Sequence, residues 1–463
     1  MNESKQKKKN TGIIAVGNLG TKLISFFLLP LYTAILSTSE YGIVDYVISI
    51  ATFCTPFVTM LMDEAIFRFL IDCKNESEKK VVISSSLFIV FLGMLSFSII
   101  GIAVMKVIDY DYTYYAVAYI LLSSYCGMIS ALLRGIGRTD LYALFNFLQG
   151  VLQVVLNVVF IAIVNMGVDG MLLASVLSFF SVSIIFSVRI KLWEFIKLHC
   201  IDRSLVKKMI VYSLPLVPNK ISWTIINLSD RIILMNVIGS SATGLYAVSY
   251  KFPNLMDTVY GFFYQSWKES SARVLSDENH DNFYNDVYEY LKCFMYSTVL
   301  VMSAFMPFVF KFMVSDSYYE AIYYVPILLL ATFFSNISGF YGGIFTAYKD
   351  TAIMGITTVA AALVNIVVNL TLIFKFGIYA AAISTLVANF VVYLYRKVKV
   401  KKYIELYENL KETITSIIAT VIIFVLFYRQ NVWSIIFSCV IAVLYAFIYN
   451  WKLLKYLKKQ LKH

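Results

Sequence analysis

The sequence predicts an all-α, polytopic membrane protein with about fourteen transmembrane helices. Hydrophobic residues make up 60% of the 463 residues and charged residues only 14%, whereas a soluble domain carries about 25% charged residues. Tyrosine and phenylalanine occur 34 and 36 times, and aromatic residues of this kind collect at membrane–water interfaces. Basic residues concentrate in every second loop. These observations indicate that lipid is the main solvent of the chain.

A helix needs about 20 mostly apolar residues to cross a bilayer, and fourteen segments meet that need. The first follows a basic N-terminus and is too long for the apolar region of a signal peptide, so we predict that it is the first transmembrane helix. The fourteen segments are 11–36, 41–70, 81–105, 114–133, 141–165, 168–188, 209–238, 241–265, 287–312, 321–347, 351–374, 378–395, 412–428 and 432–450.

The distribution of Lys and Arg tests this segmentation, because basic residues favour the cytoplasmic side of a membrane. With the N-terminus inside, 31 of the 39 basic residues fall on the inner side. The outer side holds Lys106, Lys311, Lys375 and Arg429. This asymmetry predicts that both chain ends lie in the cytoplasm. It also explains the net charge of +11 without a nucleic-acid partner.

Two basic stretches that also carry apolar residues, 191–208 and 397–411, are predicted to be interfacial amphipathic segments; the alternative is a solvated linker. They divide the chain into an N-terminal lobe at 1–190 with helices 1–6, a linker at 191–208 and a C-terminal lobe at 209–396 with helices 7–12. Residues 397–463 then hold the second linker, helices 13 and 14 and a basic cytoplasmic tail.

An internal repeat supports two pseudo-symmetric six-helix lobes. Gly167 follows 27 residues after Asp140, and Gly377 follows 27 residues after Asp350. The segment 36–42 between the first two helices also resembles the segment 238–244 in the second half. Because six is an even number, both halves have the same orientation, as in transporters with parallel repeats.

Several kinds of chemistry are excluded by the motifs. The sequence has no G-x-x-x-x-G-K-[ST] phosphate-binding loop, which argues against ATP hydrolysis. It has no C-x-x-C pair, and the spacing of its cysteines and histidines does not suggest a zinc site. We therefore expect no disulfide, no metal, no cofactor and no enzymatic activity.

The informative residues are charges inside the membrane, where each costs at least about 2.5–3.5 kcal/mol at the bilayer centre and normally faces a partner or a water-filled cavity. From a rise of about 1.5 Å per residue, Lys22, Lys220 and Lys251 lie near the midplane. Further intramembrane charges are Asp45, Asp230 and Arg231 toward the outer face, Asp257 below the centre of helix 8, and Asp63, Glu64 and Arg68 near the inner mouth.

Cations at the midplane are suited to a substrate that carries a negative phosphate, and Lys22, Lys220, Arg231 and Lys251 are predicted to line one cavity. Asp45, Asp230 and Asp257 are candidates for ion coupling or for charge pairing. The alternative is structural, with Lys251 paired to Asp230 and Lys22 paired to Asp45.

Several runs of residues resemble one family of transporters. They include Ser213–Leu234, which holds Ser229-Asp-Arg231, and Gly244-Leu-Tyr-Ala-Val-Ser-Tyr-Lys-Phe-Pro-Asn254. Tyr264-Gln-Ser-Trp267, Gly17-Asn-Leu-Gly20, Leu29-Pro-Leu-Tyr32 and Ser39-Glu-Tyr-Gly42 also fit. These runs are similar to the Wzx-like polysaccharide repeat-unit flippases of the multidrug/oligosaccharidyl-lipid/polysaccharide exporter superfamily.

The resemblance implies two six-helix lobes around a central cavity. The internal repeat and the two amphipathic linkers predict alternating access by rocking of residues 11–188 against 209–396. The resemblance also implies transfer of undecaprenyl-pyrophosphate-linked oligosaccharide from the inner to the outer leaflet of the bacterial cytoplasmic membrane, for capsule, O-antigen or exopolysaccharide. The implied partners are that lipid, the bilayer, a coupling ion (H⁺ or Na⁺), and a polysaccharide polymerase with its chain-length machinery. The alternatives are a peptidoglycan-precursor flippase, a drug/cation antiporter of the same superfamily, and a membrane enzyme.

Overall fold

The computed structural model describes residues 26–107, 110–275, 280–451 and 455, and within them the chain is helical, with no strand. The helices of the first half are α1 (Leu29–Ile35), α2 (Thr38–Thr59), α3 (Met62–Ile71), α4 (Glu76–Val107), α5 (Thr113–Gly135), α6 (Thr139–Asn157), α7 (Gly167–Arg189), α8 (Leu192–Phe195), α9 (Arg203–Ser213) and α10 (Val217–Val237). The remaining helices are α11 (Ser240–Val274), α12 (His280–Met313), α13 (Val325–Ala347), α14 (Ala352–Phe376), α15 (Ile378–Val400), α16 (Leu410–Tyr428) and α17 (Val432–Tyr449). Short helical turns of other types lie at 158–163, 198–200, 214–216 and 316–324.

The predicted all-α membrane class is confirmed. Eleven helices in the described part of the chain are long and apolar enough to cross a membrane. Of the three other predicted spans, 11–36 falls mostly outside the described residues. The span 241–265 lies within α11, whereas the span 209–238 is divided into the end of α9, a short turn at 214–216 and α10. Polar and charged residues lower the hydropathy of α10 and α11. Large apolar side chains such as Phe374 (83% exposed) face outward from the helices, as in a protein surrounded by lipid.

The second predicted span, 41–70, is broken in the structure. Helix α2 ends at Thr59 and α3 begins at Met62, and between them Met60 and Leu61 adopt left-handed backbone conformations with φ of 50° and 52°. Neither residue is a glycine, so the break is conformationally costly, by about 1–3 kcal/mol per residue. Broken helices at membrane depth are tolerated where they line a cavity or are buried in protein.

The predicted amphipathic segments are not continuous helices. Segment 191–208 consists of the four-residue helix α8, a short turn at 198–200 and the start of α9. The hydroxyl of Ser84 accepts from the backbone N–H of Lys197, and the hydroxyl of Ser85 accepts from that of Asp202. These contacts with α4 replace helical hydrogen bonds and hold the segment in short pieces. In segment 397–411, α15 ends at Val400, and α16 begins only at Leu410.

The chain folds into two compact units, Met1–Met235 and Asn236–His463. This division does not test the lobes predicted from the repeat, which stay a prediction. One detail agrees with the repeat, because Gly167 and Gly377 have φ of +55° and +56° at the start of α7 and just before α15. Glycine adopts this left-handed region without the penalty that a Cβ atom causes.

The core of the first unit lies among α3, α4, α5, α6 and α7. Its apolar side chains include Met62, Ile66, Leu133, Phe145 and Phe186, each no more than 1% exposed. Apolar side chains packed in this way fix the position of α3 and therefore of the helix break above it.

In the second unit, Trp267 of α11 stacks on Phe340 of α13, with ring centroids 4.3 Å apart, and its indole N–H donates to the carbonyl of Phe340. Gly343 permits this approach, since a Cβ atom there would lie 2.3 Å from the indole nitrogen. Helix α15 contributes Arg396, which is 1% exposed and donates to the hydroxyl of Thr357 and the carbonyls of Ser338 and Met354. The guanidinium therefore joins α13, α14 and α15 through neutral acceptors.

A buried charge cluster ties α16 to the other helices of the second unit. Lys292 of α12 lies 3.1 Å from Glu412 of α16, and their side chains are 15% and 6% exposed. At the end of α15, Lys397 and the hydroxyl of Tyr288 both donate to Glu408. Burial opposes the ionisation of Glu408, but these hydrogen bonds and the Lys397 charge outweigh it and lower the pKa of that carboxyl.

We predict that Glu412→Gln lowers the melting temperature of the purified protein, because it leaves Lys292 as an unpaired buried charge. The expected cost is about 3 kcal/mol, which at about 2–4 °C per kcal/mol corresponds to roughly 6–12 °C. Thermal unfolding in detergent measures the change. Glu269→Gln is the matched control, because its partner Arg273 and Glu269 itself are 80% and 74% exposed. Equal melting temperatures for Glu412→Gln and the control would contradict a stabilising role for the buried pair.

Candidate functional site

An ion pair joins α10 to α2 within the first unit. Arg231 Nε donates to Asp45 Oδ2 at 2.6 Å, and the two side chains are 10% and 22% exposed. Asp45 lies in the second turn of α2, which begins with a capping box in which Ser37 and Glu40 exchange hydrogen bonds. A short charge-assisted hydrogen bond in such a poorly hydrated place is among the stronger polar contacts in proteins.

Arg231 is thus a partner of Asp45, for which the sequence offered Lys22 as one alternative. Lys22 itself lies outside the described residues. Asp230, the neighbour of Arg231, is 1% exposed and belongs to the same unit. The two adjacent charges of the Ser229-Asp-Arg231 run are therefore both buried at the end of α10.

A cavity of about 220 Å³, lined by both polar and apolar residues, lies at the break between α2 and α3. Helix α2 places one polar side chain per turn along it, and helix α5 faces it from the other side. Its lining residues are Thr52, Thr55, Pro56, Thr59, Leu61, Asp63, Tyr119, Ser123, Ser124, Gly127 and Lys220. Two of the predicted site residues, Asp63 and Lys220, thus meet in one cavity of the first unit.

The local sequence explains how each of these charges is positioned. Asp63 lies in the first turn of α3, where the helix dipole favours a carboxylate. Lys220 lies in the first turn of α10, which begins after a short helical turn at 214–216 and has Pro218 at its second position. Proline is tolerated there because the first N–H groups of a helix have no intrahelical acceptor. No ion pair joins Lys220 to Asp63 in the part of the chain that the structure describes.

The other two predicted inner-mouth residues, Glu64 and Arg68, are not among the residues that line this cavity. Glu64 is exposed, and Arg68 forms an ion pair with Asp72 at 2.6 Å, with side chains 50% and 65% exposed. In the second unit, Lys251 and Asp257 are half-buried on α11. The predicted assembly of Lys22, Lys220, Arg231 and Lys251 in one cavity stays a prediction.

A cavity that offers a lysine and hydroxyl groups, and no cluster of several acidic side chains, suits an anion or a polar group better than a divalent metal ion. Among the described residues, no group of three His, Cys, Asp or Glu side chains is placed to hold a metal ion. Lysine binds phosphate as a compact point charge, and its hydration allows release.

Two sets of residues were not predicted from the sequence. The hydroxyls of Thr52, Thr55 and Thr59 lie on one face of α2, and their spacing of three and four residues was a usable signal. Arg396 was counted with the inner basic residues although it is fully buried. Because Arg396 lies at the end of an apolar segment, the sequence gave no sign that its side chain is buried and not exposed like the other inner basic residues.

The fold resembles those of several solved transporter and flippase structures. The structure of the lipid II flippase MurJ in an inward closed conformation matches with a TM-score of 0.71 and 16% identity, over 96% of this chain and 99% of that one. An inward-facing multidrug resistance MATE family transporter of the MOP superfamily matches with a TM-score of 0.66 and 14% identity, over 84% and 98%. A MOP superfamily transporter from Pyrococcus furiosus matches with a TM-score of 0.57 and 15% identity, over 85% of this chain and 96% of that one. No curated protein shows significant similarity to the chain.

The profile of the polysaccharide biosynthesis protein family matches residues 8–267, which is more than half of the chain. The chain therefore belongs to this family, and its multi-pass helical fold is the one shared by the flippases and transporters of the MOP superfamily. The family match covers both the cavity at the α2–α3 break and the Arg231–Asp45 pair.

We predict that Arg231 and Asp45 are energetically coupled. Asp45→Asn and Arg231→Gln should each lower the melting temperature, because each leaves the opposite charge poorly solvated. The double variant should be no less stable than the worse single variant, since the interaction is lost only once. Thermal unfolding of the four proteins in detergent gives this double-mutant cycle. Additive losses would show that the two side chains act independently.

Proposed function

We propose that this protein is a flippase that moves undecaprenyl-pyrophosphate-linked oligosaccharide from the inner to the outer leaflet by alternating access. The product would serve the synthesis of capsule, O-antigen or exopolysaccharide. The observation that carries the proposal is the exposed side chain of Lys220, which faces a cavity in a family of polysaccharide biosynthesis proteins. A basic side chain kept inside an apolar helix bundle calls for an anionic ligand.

The pyrophosphate explains why such cations are needed. An unpaired charge that enters hydrocarbon loses many kcal/mol of hydration. Lys22, Lys220, Arg231 and Lys251 are proposed to replace this hydration along the route of the headgroup. Arginine grips phosphate through two parallel hydrogen bonds, whereas lysine holds it as a point charge. We assign the gripping role to Arg231 once its contact with Asp45 has opened.

A second candidate is a flippase for a peptidoglycan precursor. The fold match to the lipid II flippase covers nearly the whole of both chains, which favours this candidate over a drug antiporter. The charge interactions of the headgroup would be the same in both cases. The two flippase functions therefore differ in the sugars that the cavity must accommodate. A drug/cation antiporter ranks third, because Lys220 would repel a cationic drug from the cavity.

The proposed setting is the bacterial cytoplasmic membrane, with both chain ends in the cytoplasm. The excess of basic residues on one side supports this orientation. The protein is proposed to act as a transporter without catalysis of its own. A polysaccharide polymerase with its chain-length machinery is the expected downstream partner.

We predict that Lys220→Ala and Lys251→Ala abolish polysaccharide export, while the Lys→Arg variants retain part of it. Surface polysaccharide is measured in cells whose own copy of the gene is replaced by each variant, and immunoblots of membranes check the protein level. Lys375→Ala is the matched control, because Lys375 is an exposed lysine in the last turn of a transmembrane helix. Normal export by Lys220→Ala and Lys251→Ala would make these lysines structural and leave the proposal without its main support.

We also predict that transport is driven by an ion gradient or by the membrane potential. Moving one charge across 100 mV is worth about 2.3 kcal/mol, which is enough to bias a conformational cycle. Purified protein in liposomes should lose net transport when ionophores collapse all gradients and the potential. Unchanged net accumulation under those conditions would contradict the prediction.

A further inference from the structure

A second cavity of the first unit, of about 310 Å³, lies between α4 and the linker at 191–208 and is called the linker pocket below. Helix α4 lines it with side chains such as Leu87 and Phe91, and the linker lines it with Leu192 and Ile196. It shares no lining residue with the cavity at the α2–α3 break. Its size suits part of an apolar ligand, since sites for small molecules measure about 300–1,000 Å³.

Hydrogen bonds to α4 fix the wall of the linker pocket. The hydroxyl of Ser84 donates to the carbonyl of Phe195 at 2.9 Å and accepts from the N–H of Lys197 at 3.1 Å. The hydroxyl of Ser85 accepts from the N–H of Asp202 at 3.2 Å. These bonds satisfy backbone groups of the linker that lie outside its short helices. The linker therefore holds a defined shape against α4, and the pocket is preformed.

Only three of the described residues that line the linker pocket are polar, and two of them are already satisfied. The hydroxyl of Tyr125 lies 2.8 Å from that of Ser187, and the hydroxyl of Ser84 contacts the linker backbone. The third is Lys197, which is exposed and whose ammonium group forms no ion pair within the part of the chain that the structure describes. The pocket therefore offers an apolar space and one cationic group.

Large apolar side chains around the linker pocket are exposed. Phe91 is 62% exposed, Trp193 58% and Ile196 44%. Tryptophan is enriched at the membrane–water interface, and basic segments with apolar side chains also lie at that level. The pocket is therefore placed to open toward the bilayer where acyl chains meet headgroups.

The charge of the linker complements an anionic lipid. The linker carries five Lys and Arg residues against Glu194 and Asp202. Clusters of this kind attract anionic lipids to the membrane surface. Lys191 lies 3.4 Å from Glu194, so part of its charge is compensated within the linker. Lys197 keeps its charge beside the pocket and is the residue that a bound anion would meet.

We propose that the linker pocket binds an anionic phospholipid of the membrane, with part of one acyl chain between α4 and the linker and the phosphate on the ammonium group of Lys197. Lysine binds a phosphate as a compact point charge. A zwitterionic phospholipid carries its own cation, which weakens that attraction. The lipid-linked substrate is a poorer occupant, because its headgroup is proposed to bind in the cavity at the α2–α3 break, which has no lining residue in common with the pocket.

A lipid in the linker pocket fastens the linker to α4 from the membrane side. The linker joins the two lobes that are predicted to rock, so the supply of anionic lipid should influence the rate of alternating access. This consequence rests on the proposed function, whereas lipid binding itself does not.

The test uses the purified full-length protein in phosphatidylcholine liposomes without any lipid-linked oligosaccharide. The liposomes contain a small fraction of phosphatidylglycerol with a photoreactive diazirine in its acyl chain, or the same fraction of photoreactive phosphatidylcholine. After irradiation, mass spectrometry identifies the labelled peptides. Photoreactive phosphatidylglycerol should label the peptides that hold residues 84–94 and 192–201 more strongly than photoreactive phosphatidylcholine does. Unlabelled phosphatidylglycerol should compete with this labelling.

Variants of the cation test the headgroup contact. Lys197→Gln should lower the labelling of these peptides by at least fivefold, which corresponds to about 1 kcal/mol. Lys197→Arg should retain most of it, since the charge remains. Lys208→Gln is the matched control, because it removes one charge from the same linker at an exposed position that does not line the pocket.

A variant of the apolar wall tests the acyl-chain contact separately. Leu87→Trp fills the linker pocket and should lower the labelling although Lys197 is intact. Leu92→Trp is the matched control, because Leu92 is an exposed residue of α4 that does not line the pocket. Size-exclusion chromatography in detergent checks that the variants fold.

Equal labelling by the two photoreactive phospholipids, or labelling that survives both Lys197→Gln and Leu87→Trp, would overturn the proposed site. Stronger labelling of the same peptides by a photoreactive polyprenyl phosphate would also overturn it and would assign the pocket to the tail of the lipid-linked substrate. These measurements involve no transport and leave the export by Lys220 variants untested. Failure of the phospholipid site is thus distinguishable from failure of the flippase function.

Discussion

The structure depends on one constraint, which is that a charge inside an apolar helix bundle must be compensated within the bundle. The chain meets it in two ways that are structural. Arg231 and Asp45 neutralise each other at 2.6 Å, as do Lys292 and Glu412 at 3.1 Å. Arg396 instead distributes its charge over neutral acceptors from two other helices. In each case the charge has partners within the protein and fastens helices together, and Arg231 becomes available to a ligand only when its contact with Asp45 opens.

Lys220 and Asp63 differ from these pairs because they share a cavity without closing into an ion pair in the described residues. Incomplete compensation is costly for stability, but it is what a site needs in order to bind and release a ligand. The strained residues Met60 and Leu61 belong to the same place and add to that cost. A carboxylate oxygen without a hydrogen-bond partner in the described residues, a lysine and a broken helix therefore coincide at one cavity of the first unit.

The sequence predicted the helical membrane class and most spans because hydropathy over some 20 residues is a strong signal. It failed to predict the break at 60–61, since no glycine or proline marks those positions. The position of a charged residue within a predicted span gives its depth in the membrane, but not the direction in which its side chain points. The sequence predicted Lys220 near the midplane and Asp63 near the inner mouth, and it gave no sign that the two line the same cavity. The partner of Asp45 was likewise beyond the sequence, because Arg231 lies 186 residues away.

The choice of lysine at position 220 fits a site that must let its ligand go. A bidentate arginine beside a phosphate gives affinity and geometric fit, but a flippase gains nothing from an anion that it cannot release. A change of about 1.4 kcal/mol in the attraction alters affinity tenfold. The presence or loss of one neighbouring charge at Asp63 is ample for a change of that size, even with the weak electrostatic coupling of a water-filled cavity.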